Sequence, residues 1–505
     1  MHFCPETSSR TAVVAVLLLA VLLSGCSTLV DAHRQKELLL SDYLNGQTEQ
    51  AWSRLEPRLQ EPRWYNSSAV GSGDELMWRL EAGALSFLLD RNAESIAQLT
   101  RAEALIEDYD QRALVNLRQL GSESALLWTN PNALPYRGYC RDRIMLPLFK
   151  AFSFLGQGNS EAFRVELFRL RQTQDRVMED YAQFFQAEEE AIAKNKARHA
   201  EAASNADSQR VLGDARNHSL NQTLQQTNTV AHRGYGNFLN PFAIFMSAYG
   251  FARDGDWQNA MVDYQRLYQA MPDNPLVRQY YRYGLQRTRR EVPPELQNVP
   301  ELDCSPGRKS LLLIFANGRS VSFRQVSLYV PIIYTGYSTV SAAAWPVCEF
   351  HPLPYRYLEV QADGKFRRTA SIADMDGIMA QEYNQRLPGM ITRIILSTAI
   401  KELSSYFANR MAQESNSLVH LSTLIGTSLY KIAFNTADTR TWEILPREFQ
   451  VLELAMPRQR EITLSPDGRQ QLRVSIPETA ESAVVYVNAP SGSPAALAVK
   501  VFALQ

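Results

Sequence analysis

Cys26 is the residue whose type and setting point most directly to chemistry. It closes the run Leu23-Ser24-Gly25-Cys26 behind an almost wholly apolar stretch, Thr11–Ser24, with Arg10 ahead of it. About fourteen apolar residues is short for a bilayer span and within the length of a signal h-region. Small residues before a cysteine suit cleavage at Gly25/Cys26 once the thiol carries diacylglycerol, so lipidation of Cys26 is expected, with residues 1–25 as a lipoprotein signal peptide. Each buried CH2 contributes about 0.8 kcal/mol, enough for three acyl chains to hold a protein on a membrane. Ser27 and Thr28 follow, without the aspartate that retains lipoproteins in an inner membrane. The expected site is the periplasmic face of an outer membrane, reached through a lipid anchor.

Elsewhere reactive side chains are sparse. The seven histidines, His2, His33, His199, His218, His232, His351 and His420, make no His-Glu-x-x-His motif or paired metal spacing. Cys348-x-x-His351 has no second pair to complete a zinc site. There is no Gly-x-Ser-x-Gly elbow, phosphate loop or Gly-x-Gly-x-x-Gly segment. These absences lead us to expect no metal, no cofactor and no enzyme; a hydrolase or transferase whose site assembles only in three dimensions is the alternative. With Cys4 in the signal and Cys26 lipidated, Cys140, Cys304 and Cys348 remain. An odd number leaves at least one free thiol, and a Cys304–Cys348 disulfide is open. A net charge of −1 gives no electrostatic reason to expect nucleic acid.

Binding features stand out more. Tyr136-Arg137-Gly138-Tyr139-Cys140-Arg141-Asp142-Arg143 concentrates the residue types that dominate protein interfaces. Tyr136, Arg137, Tyr139, Arg141 and Arg143 are therefore expected to form a partner-binding edge; the alternative is a loop with tyrosines packed inward and arginines solvated.

These residues need elements to carry them. From about Asp31 to Arg290 apolar residues recur at helical spacing. In Phe242–Pro272, Ala248 and Ala260 take small positions around the turn Asp254-Gly255-Asp256-Trp257, followed by Tyr264, Leu267 and Pro272, as in a tetratricopeptide repeat (TPR). Weaker copies lie in Glu75–Leu105, with Gly83 and Ser95, and in Arg143–Leu170, with Ala151 and the turn Gly156-Gln157-Gly158-Asn159. Residues 26–290 are expected to form a TPR-like helical domain with a polar insertion over about 171–233. Within it Gln172–Ala203 reads as a long helix and Ser204–His232 as a mobile loop or frayed helix. Prolines across 291–306 predict an extended linker.

Over 307–505 the period falls to two. Ser310–Ala316 and Val321–Val330 flank Asn317-Gly318 as a predicted hairpin, with a bulge between Phe323 and Val326. Asp363-Gly364 and Pro466-Asp467-Gly468 mark further hairpins. Leu387–Met411 and Ser417–Phe434 read as helices, and Glu448–Leu454, Gln470–Ile476, Ala483–Asn488 and Ala496–Leu504 as strands. The expected class is α+β: a TPR-like repeat domain followed by a mixed antiparallel β domain with two packed helices.

The chain resembles a family of bacterial TPR-like lipoproteins of uncharacterised function. The resemblance rests on Cys26 with its preceding residues and on Asp74-Glu75-Leu76-Met77-Trp78 with Gly83. It also rests on Tyr136-Arg137-Gly138-Tyr139, Leu148–Gly158, Arg164-Val165-Glu166 and Gly255-Asp256-Trp257 with Ala260, Asp263 and Tyr264. Further on it rests on Leu311–Gly318, Arg386-Leu387-Pro388 with Arg393, and Asp438-Thr439-Arg440-Thr441-Trp442 with Leu445-Pro446. It implies an anchored periplasmic scaffold that binds envelope proteins, and no assigned activity. Genes of this type stand beside small lipoproteins similar to activators of peptidoglycan synthases, which implies as an alternative an accessory factor in peptidoglycan synthesis or remodelling.

Overall fold

A computed structural model describes residues 35–64, 66–119, 135–205, 207–236, 238–413 and 436–504. The signal-like run with Cys26, and the expected helix Ser417–Phe434, lie outside these residues. The chain is a mixed helix-and-sheet protein.

Residues 35–44 (α1) and Thr48–Leu59 (α2) open the helical part. Three helical hairpins carry most of its mass: Glu75–Leu88 with Asn92–Gln119 (α3, α4), Cys140–Gly156 with Ser160–Arg198 (α5, α6), and Pro241–Arg253 with Trp257–Ala270 (α10, α11). All three are closed by the same turn. The amide of Arg91 donates to the Ser86 carbonyl at 2.9 Å, that of Asn159 to Phe154 at 3.0 Å and that of Asp256 to Phe251 at 2.9 Å. In each turn the preceding residue, Asp90, Gly158 or Gly255, has positive φ, the geometry of a Schellman stop. Asn159 and Asp256 then cap the next helix through their side chains. Close packing within the first hairpin depends on Gly83: a Cβ there would stand 2.4 Å from Leu99 Cδ2, and the Gly83 carbonyl accepts the Ser95 hydroxyl at 2.7 Å.

The first helix of each hairpin is buried nearly all round, whereas α6 and α11 bury one stripe, Phe163, Leu167, Leu170, Gln174, Val177 and Tyr181 in the former. The reason is a five-stranded sheet lying on the inner helices. It contains Ser310–Asn317 (β1), Ala370–Asp374 (β6), Glu448–Ala455 (β7), Ser482–Ala489 (β10) and Ala498–Leu504 (β11), in the order β11-β10-β1-β7-β6. Phe242 stacks on Phe449 at 3.9 Å, Phe87 meets Tyr486 at 5.3 Å and Phe149 meets Trp442 at 5.4 Å. Helices and sheet thus share one apolar core. On β1, Leu312, Ile314 and Ala316 face that core, while Leu311, Leu313 and Phe315 face a second sheet. The second sheet holds Leu358–Ala362 (β4), Lys365–Arg368 (β5), Glu461–Pro466 (β8) and Leu472–Ser475 (β9).

Asp363-Gly364 does close a hairpin between β4 and β5, with both residues at positive φ, and Asp467-Gly468 turns β8 into β9. Asn317-Gly318 does not. Strand β1 pairs in parallel with β10 and antiparallel with β7, because a strand buried on both faces needs apolar partners on both edges. Ser322–Tyr334 (β2) instead pairs with Tyr337–Glu349 (β3) in a separate two-stranded sheet, in unbroken register without the expected bulge. The proline-rich segment is packed rather than extended: Pro294 starts a helical turn, Pro294–Gln297 (α13), which buries Leu296 against Met261 and against Leu285 of Pro275–Arg287 (α12).

The long helix Met375–Gln413 (α14) supports the β2–β3 hairpin. The segment read as mobile is ordered on it. Ser208–Leu212 (α8) and His218–Ala231 (α9) follow Ala200–Ala203 (α7), and Ala202, Val211 and Leu220 join Leu328, Val330, Ile332 and Trp345 in one cluster. Two buried asparagines replace a neighbouring strand. Asn217 accepts the Tyr329 amide at 2.8 Å and donates to its carbonyl at 2.9 Å; Asn205 does the same at Ile333, at 2.8 and 3.2 Å. An open edge is thereby blocked. Asn217→Ala leaves both Tyr329 groups unpaired, and we expect a loss of about 1–3 kcal/mol in denaturant unfolding and faster amide exchange at Tyr329.

Candidate functional site

The segment Tyr136–Arg143 runs into α5, and folding turns most of it inward. Asp142, three residues inside the helix, reaches back to the Tyr139 amide at 3.0 Å and also accepts the Tyr136 hydroxyl. Arg141 is fully buried. It donates to Asp142 Oδ1 at 3.1 Å, Ser320 Oγ at 2.7 Å, Thr441 Oγ1 at 2.8 Å and the Trp442 carbonyl at 3.1 Å. Cys140 donates its amide to Glu382 on α14 at 2.9 Å. Arg143 and Arg137 both clasp Asp110 of α4. Burial raises the Asp110 carboxyl, but the two guanidiniums outweigh it and hold the group below its ordinary value.

The expected partner edge is corrected accordingly. Tyr136, Arg141 and Arg143 are 4 %, 0 % and 5 % exposed and form an internal joint between helices and strands. Apart from the adjacent Asp142, the acceptors of Arg141 come from residues far along the chain, Ser320, Thr441 and Trp442. Arg137 and Tyr139 alone of the five keep partial exposure. Arg137 lies over the Phe184 ring at 4.1 Å, and Tyr139 stacks on Phe323 at 5.4 Å.

Tyr136, Arg137 and Tyr139 line a cleft of about 160 Å³ where the segment 135–139 ahead of α5 meets α6, β3, α14 and the 437–440 loop. Its charged lining is Arg137, Arg386, Arg393 and Arg440 against Glu188 and Asp438. Arg440 pairs with Asp438 at 2.7 Å and with Asp74 at 3.0 Å. Arg386 lies over the rings of Tyr139 at 4.9 Å and Tyr181 at 5.1 Å. Phe184, Arg386, Arg393 and Arg440 were not candidates in the sequence. The available signal was the seven-residue spacing of Arg386 and Arg393, which puts both on one helix face. Several stretches that carry the family resemblance converge here.

Cys304 and Cys348 are free thiols, not a disulfide. Cys348 packs with Val321, Phe323, Met379 and Tyr383, whereas Cys304 lies near Glu453 and Asp303; burial pushes both thiols up. Among the described residues no cluster of three or more His, Cys, Asp or Glu is placed to hold a metal ion. No helix among them is long and apolar enough to cross a membrane.

Among the described residues one serine–histidine contact is made, Ser322 Oγ to His351 Nε2 at 2.9 Å. Arg319 Nη2 also faces that nitrogen at 2.5 Å and competes for its lone pair. Burial, then the Arg319 charge, bring the imidazole down to about 4. Arg319, Ser322 and His351 thus meet where β2 starts and just past the end of β3.

The class defined by these features is a mixed helix-and-sheet protein with a cationic, aromatic cleft at the seam of its two parts. Comparison with family models, curated proteins and solved structures finds no match.

Proposed function

We propose that this protein is a lipid-anchored scaffold on the periplasmic face of an outer membrane, where it binds other envelope proteins and performs no chemistry. The anchor rests on Leu23-Ser24-Gly25-Cys26. The repeat-like character rests on three helical hairpins with one turn geometry. The observation that carries the binding role is the cleft, whose Arg137, Tyr139, Phe184 and Arg386 are of the aromatic and arginine types that anchor protein interfaces. Stacked helical repeats offer concave surfaces to partners; here the inner helices are covered by the chain's own sheet, and the cleft is one of the openings beside them. The acyl anchor would raise the local concentration of any membrane-proximal partner.

Crosslinking in the native envelope, with Cys26→Ala as the unanchored control, tests this reading. One defined envelope complex is expected with the parent and is lost in the control. Recovery of no specific complex, or of the same complex without the anchor, would overturn it.

A further inference from the structure

The cleft's cations are unequally satisfied. Arg137 has Asp110, and Arg440 has Asp438 and Asp74. Arg386 and Arg393 differ. A guanidinium carries five N–H donors, yet Arg386 gives one hydrogen bond, to Tyr181 Oη at 3.2 Å, beside an ion pair with Glu382 at 3.6 Å. Arg393 gives one at 3.5 Å, to Glu188, and its Nε is buried without a hydrogen-bond partner. Both side chains are about three-quarters buried, at 22 % and 23 % exposed. They project from one face of α14 into a cavity whose other walls include the Tyr139 ring and Met390.

Two partly desolvated guanidiniums with unused donors, beside apolar and aromatic surface, match one chemistry: a carboxylate on a short aliphatic stem. We propose that Arg386 and Arg393 bind an acidic side chain of a partner's peptide segment, its carboxylate taken by the two forks and its methylenes laid on Tyr139 and Met390. The cavity volume of about 160 Å³ suits one such side chain, with the rest of the segment running outside. This inference rests on the scaffold reading above and names the chemistry of its partner.

The test uses the full-length protein in detergent and a fluorescent acidic hexapeptide, compared with its counterpart carrying glutamine in place of glutamate. Fluorescence anisotropy at low salt is expected to give the acidic peptide at least about tenfold tighter binding, since a charge-assisted hydrogen bond contributes about 1.5–3 kcal/mol. Arg393→Gln and Arg386→Gln each weaken it about tenfold, while Arg356→Gln, on a side chain 81 % exposed beside Asp467, leaves it unchanged. Arg393 makes only one long hydrogen bond, so its variant keeps the test valid if Arg386→Gln unfolds. Equal binding of both peptides, or parental binding by both variants, overturns the inference. Displacement by inorganic phosphate without discrimination between the peptides overturns it in favour of a phosphate or headgroup site. If envelope crosslinking recovers the same complex from Arg393→Gln as from the parent, the cleft inference fails and the scaffold reading stands.

Discussion

Replacing Arg141 with alanine is expected to destabilise the protein by about 3–5 kcal/mol, the range for removing one partner of a buried ion pair. Arg141 is where α5, the β1–β2 connection and the 441–442 strand entry are tied together, through Asp142, Ser320, Thr441 and the Trp442 carbonyl. None of these acceptors is solvated: Asp142, Ser320 and Thr441 are all 0 % exposed. Truncation leaves a carboxylate whose remaining donors are the Tyr136 hydroxyl and the Tyr139 amide, and strips Thr441 Oγ1 of its charged partner. Arg141→Lys should recover little, because one ammonium cannot reproduce a planar fork that spans four acceptors. Urea unfolding followed by tryptophan fluorescence measures the loss. A double-mutant cycle with Asp142→Asn should show coupling above about 1 kcal/mol. A loss below about 1 kcal/mol for Arg141→Ala would mean that the joint does not hold helices to strands.

That joint was invisible in the sequence for a physical reason. Tyrosines and arginines packed into eight residues ordinarily solvate their charges, and what buries them here lies far away: Glu382 is 242 residues from Cys140, and Thr441 is 300 from Arg141. Local signals fared better. Asp363-Gly364 and Asp467-Gly468 mark turns because left-handed backbone favours those residues whatever surrounds them. Helix stops at Asp254-Gly255 and Gln157-Gly158 were legible on the same ground. Helical period was clear in α11, buried along one stripe, and blurred in α10, where Pro241–Ala252 is buried throughout between helices and sheet. Strand β1 shows no alternation either, since both of its faces are covered, so nothing local distinguishes a hairpin with β2 from its true partners β7 and β10. The 204–232 stretch looked unanchored because its apolar residues are few; Asn205 and Asn217 do the anchoring with side-chain amides, and polar residues of that type usually signal loops. Within the cleft, Tyr136, Arg137 and Tyr139 were candidates in the sequence, while Arg386 and Arg393 were not, because the α6 wall that encloses them is not adjacent in sequence.

A second buried acid should make stability depend on pH in a direction opposite to ordinary surface carboxylates. Glu81 of α3 is 0 % exposed and accepts the amides of Glu443 at 2.9 Å and Ile444 at 3.2 Å, with Lys36 at 3.6 Å and the Glu443 carboxylate nearby. Burial, more than Lys36 and the amides can offset, raises its carboxyl from 4.5 to about 7. The folded state therefore binds the proton more tightly than the unfolded chain. The resulting stabilisation is fully present below about 4.5 and is lost as pH rises through about 7. A shift of this size corresponds to about 3 kcal/mol. Asp376, raised to about 7 by burial against the pull of Arg447, contributes with the same sign. Asp110 and Glu75, held low, act in the opposite sense and lose their contribution only as pH falls through their depressed values. Comparison with Glu81→Gln isolates the first group, because the side-chain amide carries no charge to titrate; the Glu443 and Ile444 amides donate to different carboxylate oxygens, so the variant loses one of those bonds, an offset that does not change with pH. Urea midpoints at pH 8 and pH 5 should show the parent gaining about 3 kcal/mol relative to the variant on acidification. Parallel profiles for the two proteins would mean that Glu81 stays ionised throughout, with Lys36 and the two amides outweighing its desolvation.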